Sequence, residues 1–229
     1  MRIRIVERTG STNSDLLADT NAVEGDWLVA LAQDAGRGRQ GRQWQSLEGN
    51  FFGSTLVMLQ PGDPSAPALA LAAGIALSDA VSAAAPGVAT MLKWPNDLLI
   101  DGAKAGGILL ERNGDRVVAG FGANLALAPE LEGKTTAALP DPLPPQAFAP
   151  LLAASFARSV SLWRHSDPDA LQSAWLARAH PEGAALTVHI SQDDMVAGEF
   201  AGIELDGALR LRVGGEILTV RAGDVSLSA

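Results

Sequence analysis

The sequence predicts an α+β protein, with strands and helices interspersed up to residue 182 and a short all-β tail after it. Three observations carry this. Strand-length apolar runs such as DWLVALAQ and NFFGSTLVML are bounded by Gly, Pro, Asn and Asp. Helical patterns are few, led by the Ala-rich stretch PALALAAGIALSDAVSAAA. At His180-Pro181-Glu182-Gly183 the chain changes character, and only short strands and tight turns follow.

In chain order, RIRIVER reads as a first strand and STNSDLLAD opens a helix. Thr12 and Asp15 are spaced as a capping box, in which hydroxyl and carboxylate satisfy free backbone N–H groups. DWLVALAQ and NFFGSTLVML are the next strands. The Ala-rich helix runs from about Ala66 to Ala85 and stops at Pro86-Gly87. MLKW and DLLI are strands flanking a Pro-Asn-Asp turn. Asp101-Gly102 is a two-residue hairpin signal leading into KAGGILLE, and Asn113-Gly114 marks a turn before VVAGFGANLAL. The Pro-rich segment 140–149 connects to helices near 147–163 and 168–179. In the tail, ALTVHI, GEFAGIEL, ALRLRV and EILTV are strands, with Asp206-Gly207 and Gly214-Gly215 as turns. This tail resembles a small β-barrel of the SH3 type and divides the chain into 1–182 and 183–229.

Composition narrows the function classes. The 229 residues carry 26 Asp+Glu against 17 Lys+Arg, a net charge of -9, which argues against nucleic acid as main partner. No apolar run reaches the ~18 residues of a membrane span, and MRIRIVERTG has charges where a signal peptide needs an apolar core, so the cytoplasm is expected. Zero cysteines exclude disulfides, thiolate metal sites and a cysteine nucleophile. His165, His180 and His189 are not spaced as a zinc site, and no G-x-S-x-G elbow is present.

Within this acidic chain, residues 36–44 read GRGRQGRQW. The segment matches G-x-G-x-x-G, but a strand-like stretch follows it where a dinucleotide site needs a helix. GKTT at 133–136 resembles the end of a phosphate loop, yet Ala128 stands where glycine is required, so it reads as coincidence. The arginine segment is either a solvated basic loop or a closing loop over a small anion. Glycines permit close backbone approach and guanidinium binds phosphate bidentately, which favours the second reading. In KWPNDLL, Asn96 and Asp97 either form a plain turn or serve a metal or phosphate. Lys104 in KAGGILLE is either a surface lysine or reaches an anion over Gly106-Gly107, and GFGANL is a strand interrupted by glycine.

In this order, STN, GRGRxGRxW, KWPNDLL, KAGGIL and GxGxN together resemble the catalytic domain of biotin protein ligases. The resemblance covers roughly residues 9–127 and, more loosely, the tail from 183; residues 128–182 match only in helical character. It implies a mixed β-sheet with packed helices, of the class II synthetase-like biotin–lipoate ligase type. The implied activity joins biotin to ATP as biotinyl-5′-AMP and transfers biotin to a lysine of a biotin carboxyl carrier protein of acetyl-CoA carboxylase. The resemblance further implies Mg²⁺ entering with ATP and a possible homodimer; no nucleic-acid partner and no membrane are expected from the charge and the apolar runs above. Because the chain starts close to STN, the monofunctional type without a DNA-binding domain is expected.

The family's site residues carry over by motif. Ser11, Thr12 and Asn13 would lie at the biotin pocket, with Gln33 bonding biotin's polar end. Arg37, Gly38 and Arg39 would belong to a loop that orders over biotin and the adenylate, and Arg42 and Trp44 would continue it towards the nucleotide. Lys104, with Arg37 and Arg39 the expected catalytic group, would contact the carboxylate and the reacting phosphate. Gly106, Gly107 and Gly122 would let backbone approach biotin. Asn96, Asp97 and Asn124 would serve the nucleotide, metal or incoming lysine; no metal ligand is assigned. The sequence departs from the family at Leu31-Ala32, where an acidic or aromatic pair is usual, and at Thr136-Ala137-Ala138-Leu139, where A-T-S-L is frequent. Lipoate–protein ligases share the adenylate chemistry but carry a different glycine signature, and octanoyltransferases need the cysteine this chain lacks.

Overall fold

A computed structural model describes residues 1–189 and 194–227. Ile190, the last residue of the predicted strand ALTVHI, lies outside them. Seven strands form the main sheet: β1 (Ile3–Thr9), β2 (Trp27–Gln33), β3 (Phe51–Met58), β4 (Thr90–Lys93), β5 (Asp97–Ile100), β6 (Ala103–Asn113) and β7 (Arg116–Ala123). Their order is β1-β2-β3-β7-β6-β5-β4. Only β1 and β2 pair in parallel, so the sheet is mixed. The turn before β7 is at Gly114-Asp115, one residue beyond the Asn113-Gly114 expected, because Asn113 still pairs with Arg116.

Alternation along the strands assigns each sheet face. Trp27, Phe121 and Phe156 pack as one aromatic cluster, with ring centroids 5.4–5.9 Å apart. Here the sheet is covered by α2 (Leu69–Ala84) and α3 (Pro145–His165). The helix α2 and the 3₁₀ turn before it are apolar enough and long enough to cross a membrane, but they are mostly buried in this core. On the other face, Leu28, Leu56 and Val118 pack under Leu16 of α1 (Thr12–Ala18). The cap of α1 is Ser11, not Thr12: its hydroxyl accepts from Ser14 N–H, while Asp15 takes the Thr9 hydroxyl instead of closing a box.

After α4 (Pro168–Leu176), a second, antiparallel sheet is built from β8 (Ala185–His189), β9 (Met195–Ile203), β10 (Leu209–Val213), β11 (Glu216–Val220) and β12 (Asp224–Leu227). Its order is β11-β10-β9-β8-β12. The expected barrel is therefore not closed: among the described residues β11 and β12 do not pair. β12, a strand the sequence pattern did not reveal, instead turns towards the main sheet, where Lys93 Nζ donates to Val225 O at 3.0 Å.

Candidate active site

A cavity of about 1000 Å³ opens on the α1 face of the main sheet, reaching as far as β12. Its floor follows from the two-residue period of the strands. Moving along this face from the apolar Leu56–Val118 pair, the next pair is Ser54–Gly120 and the next Phe52–Gly122. Apolar packing thus gives way to a polar seat, and then to a bare backbone surface. At Gly120 a Cβ would overlap the Asn13 carboxamide; at Gly122 it would overlap the Trp44 indole. Gly107, paired with Gly122, would bring a Cβ to 2.9 Å from the same ring. These glycines leave room for the two side chains that shape the cavity.

The polar end is a linked network. Thr12 donates from its backbone N–H to Gln33 Oε1 at 2.7 Å, and its hydroxyl lies 3.1 Å from the same oxygen. Ser54, fully buried, donates to Asn13 Oδ1 at 2.6 Å and lies 2.7 Å from the Thr12 hydroxyl. Asn13 Nδ2 donates to Leu109 O at 3.2 Å and to Glu111 at 2.8 Å. The Asn13 amide orientation is thereby fixed, leaving one Oδ1 lone pair free to receive a ligand N–H.

The other end is cationic. Lys104 reaches it through a β-bulge. The register between β5 and β6 slips after Leu98, so that Leu98 faces Gly106 and Leu99 faces Lys104. The extra residue, Ala105, turns Lys104 onto the same face as Gly107. Its ammonium sits 2.5 Å from Asp97 Oδ1 and 5.5 Å from the Trp44 ring centroid. Lys93 lies 3.4 Å from the other Asp97 oxygen.

The arginine segment is a hairpin. Gly38 N–H donates to Arg42 O at 2.7 Å and Trp44 N–H to Gly36 O at 3.0 Å. Arg37 pairs with Glu111 at 3.1 Å and with the Ser14 hydroxyl. Arg39 donates to Gly223 O at 3.0 Å, and both Arg39 and Arg42 pair with Asp224 of β12. Burial and the neighbouring Arg42 charge hold Arg39 below its usual pKa, opposed by Asp97; guanidinium still stays charged.

The cavity gathers nearly every residue expected from the sequence: Ser11, Thr12, Asn13, Gln33, Arg37, Gly38, Arg39, Arg42, Trp44, Asn96, Asp97, Lys104, Gly107, Gly122 and Asn124. Gly106 is the exception. It precedes Gly107 on β6, so it points to the opposite face, where a Cβ would meet Leu77 of α2 at 3.0 Å. Its small size serves helix packing. Asn96 and Asn124 lie at the wall with their amides already engaged: Asn96 donates to Ile108 O, Asn124 to Ala137 O and Lys104 O.

Sequence reasoning missed Lys93, Ser54, Glu111, Asp224 and Lys134. The GKTT segment is not a phosphate loop, but its 135–137 backbone pairs alongside Lys104, with Lys104 N–H donating to Thr135 O at 2.9 Å. This brings Lys134 to the cavity mouth. Although exposed, it is held below the usual lysine pKa by partial desolvation, then by Arg42 and Lys104. A lysine in an otherwise dismissed motif was the only signal for it.

The model for the biotin/lipoate A/B protein ligase family matches residues 4–124. The biotin–[acetyl-CoA-carboxylase] ligase of Paracoccus denitrificans is 36% identical across 91% of this chain and 93% of its own length. The ligase of the same name from Mycobacterium tuberculosis is 36% identical across 98% of this chain and 88% of its own. Among solved structures, the biotin protein ligase of Aquifex aeolicus in complex with biotin and ATP shares the fold with a TM-score of 0.84. It is 21% identical, and the match covers 99% of this chain and 98% of that one. Similarity over nearly the whole length, on a sheet whose strand ends carry the family's motifs into one cavity, makes this chain a member of the biotin/lipoate A/B protein ligase family.

Proposed function

We propose that this chain is an ATP-dependent biotin–protein ligase that forms biotinyl-5′-AMP and transfers biotin to a lysine of a biotin carboxyl carrier protein. The observation that carries the reading is one continuous cavity with a polar network at one end and cations at the other. A bicyclic urea suits the first end: Thr12, Asn13 and Gln33 offer hydrogen-bonding groups, and the indole of Trp44 gives an apolar wall for the side chain that follows. A triphosphate suits the second end, among Arg39, Arg42, Lys93, Lys104 and Lys134.

The chemistry explains that division. A biotin carboxylate oxygen attacks the α-phosphorus of ATP, the bond to the bridging oxygen breaks, and pyrophosphate leaves. Two anions must approach, so cations held in advance offset the repulsion and the charge that develops. The mixed anhydride hydrolyses readily, and the hairpin 36–44 serves as the lid that keeps water away. The carrier's lysine then attacks the acyl carbon and AMP departs. Among the described residues no group of three metal-binding side chains occurs. Mg²⁺ brought in on the phosphates would neutralise their charge, and Asp97 in the cavity lining is a carboxylate that would help hold it. The two sheets support a division into a catalytic part, 1–182, and a C-terminal part, 183–229, whose β12 closes the cavity.

The test is ATP–pyrophosphate exchange by the purified protein with biotin or lipoate as acid. Exchange is expected with biotin. Exchange with lipoate and none with biotin overturns the reading.

A further inference from the structure

We infer that Glu111 is a positioning residue that links the head-group pocket to closure of the arginine hairpin. The inference rests on the ligase reading for its ligand and on geometry alone for the link itself. Glu111 ends the KAGGILLE segment on β6 and does not line the cavity. Its side chain is 23% exposed and stands behind two that do line it. Oε2 accepts from both Asn13 Nδ2 at 2.8 Å and Arg37 at 3.2 Å, and Arg37 also lies 3.1 Å from Oε1. Asn13 is 5% exposed and pinned from its other side by Ser54. Arg37 starts the hairpin, and its remaining side-chain partner is the Ser14 hydroxyl on α1. The carboxylate therefore joins the residue that reads the ligand to the residue that anchors the lid.

Two consequences follow from chemistry. With Asn13 and Arg37 sharing one carboxylate, orientation of the amide and seating of the guanidinium reinforce each other. A neutral amide at position 111 keeps an acceptor for Asn13 but loses the charge that holds Arg37. Glu111→Gln should therefore loosen the lid and spare head-group recognition.

The experiment compares wild type with Glu111→Gln, Arg37→Gln and the double variant. Amide exchange is measured first without ligand, at Gly38 and Trp44, whose N–H groups close the hairpin. Exchange roughly three- to tenfold faster is expected in Glu111→Gln, as for loss of a half-exposed charge-assisted bond. The double variant should be no worse than the worse single one, since both remove the same contact. With ligand, biotinyl-AMP should leave Glu111→Gln by a similar factor faster, while the biotin dissociation constant stays within about threefold. Hairpin exchange within twofold of wild type in the ligand-free protein overturns the link. If wild type binds no biotin, the ligase reading fails while the exchange result still decides the link.

Discussion

Three glycines illustrate how a single atom decides a role. Gly106 and Gly107 are neighbours in sequence, yet one faces α2 and the other the indole of Trp44. Gly122 supports the same indole from the next strand. Gly122→Ala is expected to displace Trp44 and lower kcat/KM on the order of 10²-fold, as misplacement by about 1 Å can, with little change in melting temperature. Gly106→Ala should do the reverse, lowering stability while leaving kcat/KM within about threefold. Steady-state kinetics and thermal melts of the two variants check this; equal kinetic losses would contradict the assignment of faces. The sequence reading gave both positions to the ligand, but only Gly107 lines the cavity, while Gly106 faces Leu77 of α2. A two-residue period fixes relative facing only once the register is known, and the bulge at Ala105 resets it for Lys104.

Elements were more legible than their ends and their partners. The strands and the buried helix α2 follow directly from apolar periodicity and turn residues. The cap of α1 and the turn at Gly114-Asp115 each lie one residue from the expected position, because neighbouring residues offer the same local signal. The short β12 and the open second sheet were not legible, because they depend on pairing between residues far apart in sequence. Asn13 and Glu111 are 98 positions apart, and Arg39 and Asp224 are 185 apart. Local pattern carries no trace of such pairs. The end of α3 gives another case. Arg164 donates to Asp63 at 2.9 Å, to Glu24 at 2.6 Å and to Met58 O at 3.0 Å, with its side chain 11% exposed. The Glu24 hydrogen bond is the main reason its pKa is raised. Arg164→Ala leaves Asp63, 7% exposed, without its ion-pair partner and, among the described residues, with only the Gln60 N–H bonded to it. A loss of about 2–4 kcal/mol is expected in urea denaturation, somewhat below the range for fully buried pairs. A loss under about 1 kcal/mol would mean that solvent replaces the network.

At the scale of the whole molecule, the two sheets share one apolar core, in which Leu186, Val188 and Phe200 join the residues packed around α2. His180 lies at this seam, 3% exposed, with its ring edge-on to Phe200 at 4.3 Å. Burial, helped by the Lys93 charge, pushes its pKa down to about 4. A histidine whose pKa falls on folding stabilises the fold fully above its unfolded value near 6.5, and this stability is lost as pH drops from there towards 4. The loss between pH 7 and pH 5 comes to about 2 kcal/mol. His180→Leu should therefore show a smaller fall in urea midpoint over that interval than wild type; equal falls would remove His180 from the acid response. The hairpin that bridges α1 and β12 has an optical consequence as well. Of the five tryptophans, Trp27, Trp94, Trp163 and Trp175 are at most 3% exposed, and Trp44 alone is only half-buried. Acrylamide reaches its indole ahead of the others, so collisional quenching of intrinsic fluorescence reads the hairpin's position without any added label. Trp44→Phe provides the blank against which that emission is subtracted.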